Sequence, residues 1–334
     1  MDLYNRPEHF PPPPGGYDRL SRLIIYLQHS IIPQLLLILL DKICAFILPS
    51  YFLPRNVFLI TQPRSGSTLL LATMARDPRI WCKGEILNSL YQRYGTLSTS
   101  SWRRKLHVRA VLSRFPAACI NIYRSFFCCG RRRPLIKAVF VKVFLYHVMS
   151  PNEIVTLEYL LNVNNKTSCV RLYRQCMLST YASLQVALRN DVWVKTTEDY
   201  SSNLKESTID INIREFVEFA NEQRYAWQQL DEIQSINIDG WPKHSVVVSY
   251  EELSRNPTGT SNNVKSKIQG EKGNEREYTF GNTCSTDLPY IQNSHIPLKD
   301  RVHLVGDDVD DSTFSELFAR HKLLRDDVVM QYKR

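Results

Sequence analysis

Apolar residues fall along this chain in short dense runs set apart by polar segments. Val57-Phe58-Leu59-Ile60-Thr61, Ala138 to Tyr146, Ser168 to Tyr173 and Ser245 to Ser249 are brief and nearly continuous, the pattern of strands buried on both faces. Ser67 to Ala75, Asn152 to Leu161, Leu178 to Arg189 and Ile213 to Ile233 predict helices; in the last, Phe216, Phe219, Tyr225 and Leu230 recur at helical spacing. Strands alternating with helices predict an α/β fold, a doubly wound parallel sheet with helices on both faces. Glycine is scarce and no period of about 20–50 residues recurs, which excludes a repeat architecture.

The two ends depart from this alternation. Residues 1–19 contain Pro11 to Pro14 followed by Gly15-Gly16 and predict a disordered segment. Residues 20–54 are strongly apolar, and Leu23 to Leu40 approaches the length of a membrane span, although Gln28, His29, Pro33 and Gln34 interrupt it. One reading is a spanning anchor with Arg19 and Arg22 on the cytoplasmic side and the remainder lumenal, as in a single-pass Golgi protein. A second is an amphipathic segment lying in the membrane plane, and a third is a helix buried in an otherwise cytoplasmic domain. Residues 55–334 form the globular domain. Within it, 254–288 are rich in Asn, Ser, Thr, Gly, Lys and Glu and predict an irregular loop or insertion.

Charge narrows the partners. The chain carries a formal charge of +9, and no Asp or Glu occurs between Glu85 and Glu153. Such a field draws in an anionic cofactor, an anionic membrane or an acidic glycan. Nucleic acid is excluded, because few aromatics interleave the basic run and no nucleic-acid motif is present. The eight cysteines show no CxxC pair and no zinc spacing, so they predict free thiols and no metal site.

The chemistry concentrates in Pro63-Arg64-Ser65-Gly66-Ser67-Thr68, between a predicted strand and a predicted helix. A P-loop-like strand–loop–helix of this kind exposes backbone N–H groups at a helix N-terminus, where the dipole favours phosphate. Ser65, Ser67 and Thr68 add hydroxyl donors and Arg64 a permanent planar cation. A nucleoside-triphosphate loop would need Lys after Gly66, and Ser67 stands there.

These residues resemble the 5′-phosphosulfate loop of sulfotransferases, Pro-[Arg/Lys]-Ser-Gly-[Ser/Thr]-Thr, at every position. Trp81-Cys82-Lys83-Gly84-Glu85 resembles the Gly-Glu pair of the carbohydrate and bacterial trehalose-type members, which makes Glu85 the implied general base for the acceptor hydroxyl. Val170 to Ser183 resembles the 3′-phosphate segment, with Arg174 and Ser183 as the implied clamp. Their separation of nine residues is one more than the family pattern, and Gln175 holds the usual arginine position. The resemblance covers about residues 56–250. It implies transfer of a sulfuryl group from 3′-phosphoadenylyl sulfate (PAPS) to a hydroxyl, on a sugar or glycolipid, without a metal. In it, Arg64 and Glu85 are catalytic, and Pro63 to Thr68, Arg174 and Ser183 bind the donor. The alternatives are a P-loop nucleotide kinase and a binding protein that retains the fold without the activity.

Overall fold

A computed structural model describes residues 31–85, Leu106, 108–110, 112–127, 134–145, Leu160, 167–190, 209–236, Pro242, 244–269 and 302–305. In chain order the elements are α1 (Ile31–Ile47), a 3-10 turn (Ser50–Phe52), β1 (Arg55–Thr61), α2 (Ser67–Met74) and β2 (Ile80–Glu85). Then come α3 (Phe115–Phe127), β3 (Ala138–Phe144), β4 (Thr167–Tyr173), α4 (Met177–Asn190), β5 (Ile209–Asn212) and α5 (Ile213–Ile236). Last are β6 (His244–Ser249), α6 (Tyr250–Arg255), α7 (Pro257–Gln269) and β7 (Val302–Val305). The predicted helix over Asn152 to Leu161 lies outside the described residues except for Leu160.

The main sheet is parallel throughout, in the order β2-β3-β1-β4-β6. Alternate residues of β1 supply its two faces. Phe58 and Ile60 pack with Ala117 of α3 and Leu230 of α5, whereas Val57 and Leu59 pack with Leu70 and Met74 of α2 and Val264 and Ile268 of α7. Both faces of the sheet are therefore covered by helices, which is why its strands read as continuous apolar runs. β5 and β7 form a separate two-stranded parallel pair.

Register brings the strand ends to one edge. Thr61 pairs with Phe144 and with Leu172, and Tyr173 pairs with Ser249. The connection from β1 leads to the β2 side of the sheet, and the one from β4 leads to the β6 side. A crevice opens where such connections diverge, so the loops after β1 and β4 face each other across it.

Two expectations change. Residues 254–269 are not an irregular loop, because α7 is a packed helix. β1 begins beside its far end: the Arg55 guanidinium donates to the Ile268 carbonyl, placing a cation at the helix C-terminus. At the near end the Asn256 side chain accepts the Gly259 N–H at 2.9 Å, with Pro257 at the first helical position. Asp77, in the turn between α2 and β2, pairs with Arg79 at 2.8 Å and with Lys265 of α7 at 3.5 Å. Residues 270–288 lie outside the described residues.

The second change concerns 31–54; residues 1–30, with the predicted disordered segment 1–19, lie outside the described residues. Among the described residues no helix is long and apolar enough to cross a membrane, so the single-pass Golgi anchor is not supported. α1 has 17 residues and is fastened sideways to the domain. Asp41 accepts the Arg114 N–H at 2.6 Å, and nearby Lys83 donates to the Ser113 carbonyl at 3.1 Å. Burial pushes the Lys83 ammonium down to about 8, against the opposing pull of the Asp41 carboxylate.

If α7 belongs to the core, Ile268→Ala should cost about 2–5 kcal/mol through the cavity it leaves. Urea unfolding checks this, and an unchanged midpoint would mean that α7 is peripheral.

Candidate active site

The loop after β1 starts from a fixed point. The Thr61 hydroxyl donates to the Leu172 carbonyl of β4 at 3.0 Å, across the crevice. From there the chain turns through two left-handed residues, Arg64 at φ 63 and Gly66 at φ 85. Alternation of this kind points successive N–H groups into one concavity, an anion nest. A non-glycine residue in that region costs on the order of 1–3 kcal/mol and persists only where its surroundings hold it. Here the Ser65 hydroxyl donates to the Gln62 carbonyl at 2.6 Å and bonds with the Thr61 hydroxyl. Gln62 in turn donates to the Gln223 carbonyl of α5 at 3.3 Å. The Ser65 hydroxyl, expected as a ligand donor, is thus committed to bracing the loop, which leaves its backbone N–H for an anion.

α2 begins at Ser67 with no side-chain cap. The N–H groups of its first turn have no intrahelical acceptor, and the dipole adds positive potential there. Ser67 is buried and Thr68 half-buried at this end.

Side chains from both sides of the crevice meet over the loop. Arg64 Nε donates to the Ser183 hydroxyl of α4 at 3.0 Å. Arg174, just beyond β4, donates to the Arg64 carbonyl at 3.4 Å, and its guanidinium lies 4.5 Å from the centre of the Tyr250 ring. The same ring packs on Gly66: a Cβ there would lie 2.9 Å from Tyr250 Cε2 and closer still to Cδ2. Gln175 instead gives its backbone N–H to the Glu251 carboxylate at 3.1 and 3.2 Å. Arg171 is neutralised by Asp231 at 2.6 Å, on the opposite flank of β4. The structure therefore gathers Arg64, Arg174 and Ser183, as the motifs imply, and adds Tyr250, which no sequence signal marks.

Glu85 ends β2, at the same sheet edge but beyond β3. Gly84 has φ 71, and the β2–β3 ladder shifts between Cys82 and Glu85. That bulge turns the carboxylate inward, where Oε1 lies 2.6 Å from Lys142 Nζ; the two side chains are only 4% and 1% exposed. Lys142 Nζ also stands 4.3 Å from the Phe144 ring centre. Glu85 is thus neither a solvated residue nor a helix cap. Lys142 was detectable as the one charge in the apolar run Ala138–Phe144, since a buried lysine needs a partner.

The thiols on β2 and β4 are inert: burial pushes Cys82 and Cys169 up to about 12.

Lys142→Met would leave the Glu85 carboxylate buried without this ammonium, at an expected cost of about 3–5 kcal/mol. Adding Glu85→Gln should restore part of that stability in urea unfolding. Equal losses in the single and double variants would show that the two side chains are not coupled. In comparison with known proteins, no curated protein matches the chain. A family model described as the sulfotransferase family matches residues 54–269, from just before β1 to the end of α7.

Proposed function

The chain belongs to the sulfotransferase family, and from that membership we propose that it moves a sulfuryl group from PAPS to a hydroxyl on a carbohydrate or glycolipid. The observation that carries the proposal is the meeting of Arg64, Arg174 and Ser183 over the uncapped N-terminus of α2. A donor with a phosphosulfate at one end and a 3′-phosphate at the other needs two anion contacts a short span apart. Loop 63–68 is the contact for the first, through the N–H groups of Arg64 to Thr68, with Pro63 fixing the entry to the turn. Ser183 and Arg174 are the contact for the second. The fit rests on the left-handed turn at Arg64 and Gly66, which aims backbone donors outward.

PAPS supplies an activated sulfuryl group with a stable bisphosphate as its leaving group. The acceptor oxygen bonds to sulfur as the bond from sulfur to the bridging phosphate oxygen breaks. Glu85 accepts the acceptor's proton, while Lys142 fixes the orientation of its carboxylate. Arg64 and the loop N–H groups meet the charge that collects on the bridging oxygen, donors set in place before the reaction begins.

Thermal melting of the full chain with 3′-phosphoadenosine 5′-phosphate, against ATP with Mg²⁺, tests the donor assignment. A hundredfold excess over the dissociation constant adds about 2.7 kcal/mol and raises the midpoint. A shift with ATP alone would favour the kinase alternative, and binding of the bisphosphate without turnover the inactive one. Arg64→Ala should lower turnover by about 10²–10³-fold while the ligand-free stability falls by no more than the loss of its bond to Ser183, about 1 kcal/mol. A parallel loss of stability would sink the assignment to Arg64.

A further inference from the structure

α1 is amphipathic in the reverse sense for a helix packed on a soluble domain. Its inward side carries Gln34, Leu37 and Asp41. Gln34 and Leu37 are buried, the Ser113 hydroxyl donates to the Leu37 carbonyl at 3.3 Å, and Asp41 pairs with the Arg114 guanidinium at 3.6 Å. Its outward side is a stripe at helical spacing: Ile32, Leu36, Leu39, Ile43, Phe46 and Ile47. All are exposed, Ile32 by 80% and Phe46 by 92%. An apolar band of this length on a protein surface marks something that covers it.

The flanks of the stripe decide what that is. Asp41 is the one acidic residue of α1 and is turned inward, whereas Lys42 is exposed. α1 packs on α3, which comes from the stretch between Glu85 and Glu153 that holds twelve Lys and Arg and no Asp or Glu. On α3, Tyr123 and Phe126 are exposed, and the half-buried Arg124 donates to the Pro134 carbonyl at 2.7 Å. An apolar band with Lys42 exposed at its side, on a chain of formal charge +9, suits the interface of an anionic bilayer. A second copy would bring Lys42 against Lys42 between two chains that each carry a formal charge of +9. Spanning is disfavoured as well, because crossing would strip Asp41 and Gln34 of their surroundings on the domain.

We propose that α1 is a membrane-docking helix, lying parallel to an anionic bilayer with its outer stripe sunk to the boundary of headgroups and acyl chains. Nothing in this depends on which reaction the site runs.

Flotation of the purified full chain tests it, with vesicles of phosphatidylcholine and phosphatidylserine beside vesicles of phosphatidylcholine alone. The chain should float with the anionic vesicles and be released by salt. Leu39→Glu and Phe46→Glu should each lower partitioning about tenfold or more with the melting midpoint unchanged, because both side chains are exposed. A chain that stays at the bottom, or variants that float as well as the parent, overturns the proposal. So does a monodisperse dimer that Phe46→Glu converts to monomer, which would give the stripe to a second copy. Protease added outside the vesicles should reach residues 1–30, and a protected N-terminal fragment would mean that the helix crosses instead.

Discussion

A strand hydrogen-bonded on both sides has no register left to choose. β1 is held in this way by β3 and β4, and its side chains alternate between two apolar cores. Its last residue is thereby fixed in space, and Thr61 extends the constraint by bonding the Leu172 carbonyl. The loop that follows inherits its starting point and direction, so its strained turn at Arg64 is paid for by the sheet rather than by the loop. α2 then leaves toward one face, and the loop after β4 comes up on the other side of the crevice. The meeting of Arg64 with Ser183 is a consequence of this geometry.

Charge fastens what apolar packing leaves loose. Burial pushes the Asp77 carboxyl up, but its bonds from Arg79 and the nearby Lys265 outweigh this and hold it below the usual range. The result ties the turn after α2 to α7. Glu85 and Lys142 do the same for the sheet edge, at a bulge where the ladder itself is broken. Such pairs are retained once buried because removing either partner strands the other.

The central strands were legible in the sequence because burial on both faces leaves no polar alternation to confuse them. The loop from Pro63 to Thr68 was legible because small residues and glycine between a strand and a helix have one economical geometry. β2 was not, being short, half polar and interrupted by Gly84. α7 was not, because its Thr, Ser, Asn and Gly favour irregular structure; Val264, Ile268 and the cation of Arg55 override that preference. In α1 the hydropathy was visible but not the direction of Asp41, which converts an apparent span into a helix bound along the domain. Of the candidate site, the residues on the motifs were visible and Lys142 stood out as the one charge in an apolar run, whereas Tyr250 is brought in by contacts between distant segments.

Gly66 and Tyr250 share one small volume, but their freedoms are unequal. At residue 66 a side chain is barred twice, by the ring beside it and by its own backbone at φ 85. At residue 250 the ring's packing and its contact with Arg174 are at stake, but not the backbone. Drift in related sequences should therefore be lopsided: 250 can shrink at the cost of its Arg174 contact while 66 stays glycine, whereas growth at 66 meets the backbone penalty even after 250 has shrunk. A lineage that loses the aromatic keeps a route back, and one that loses the glycine has abandoned the loop.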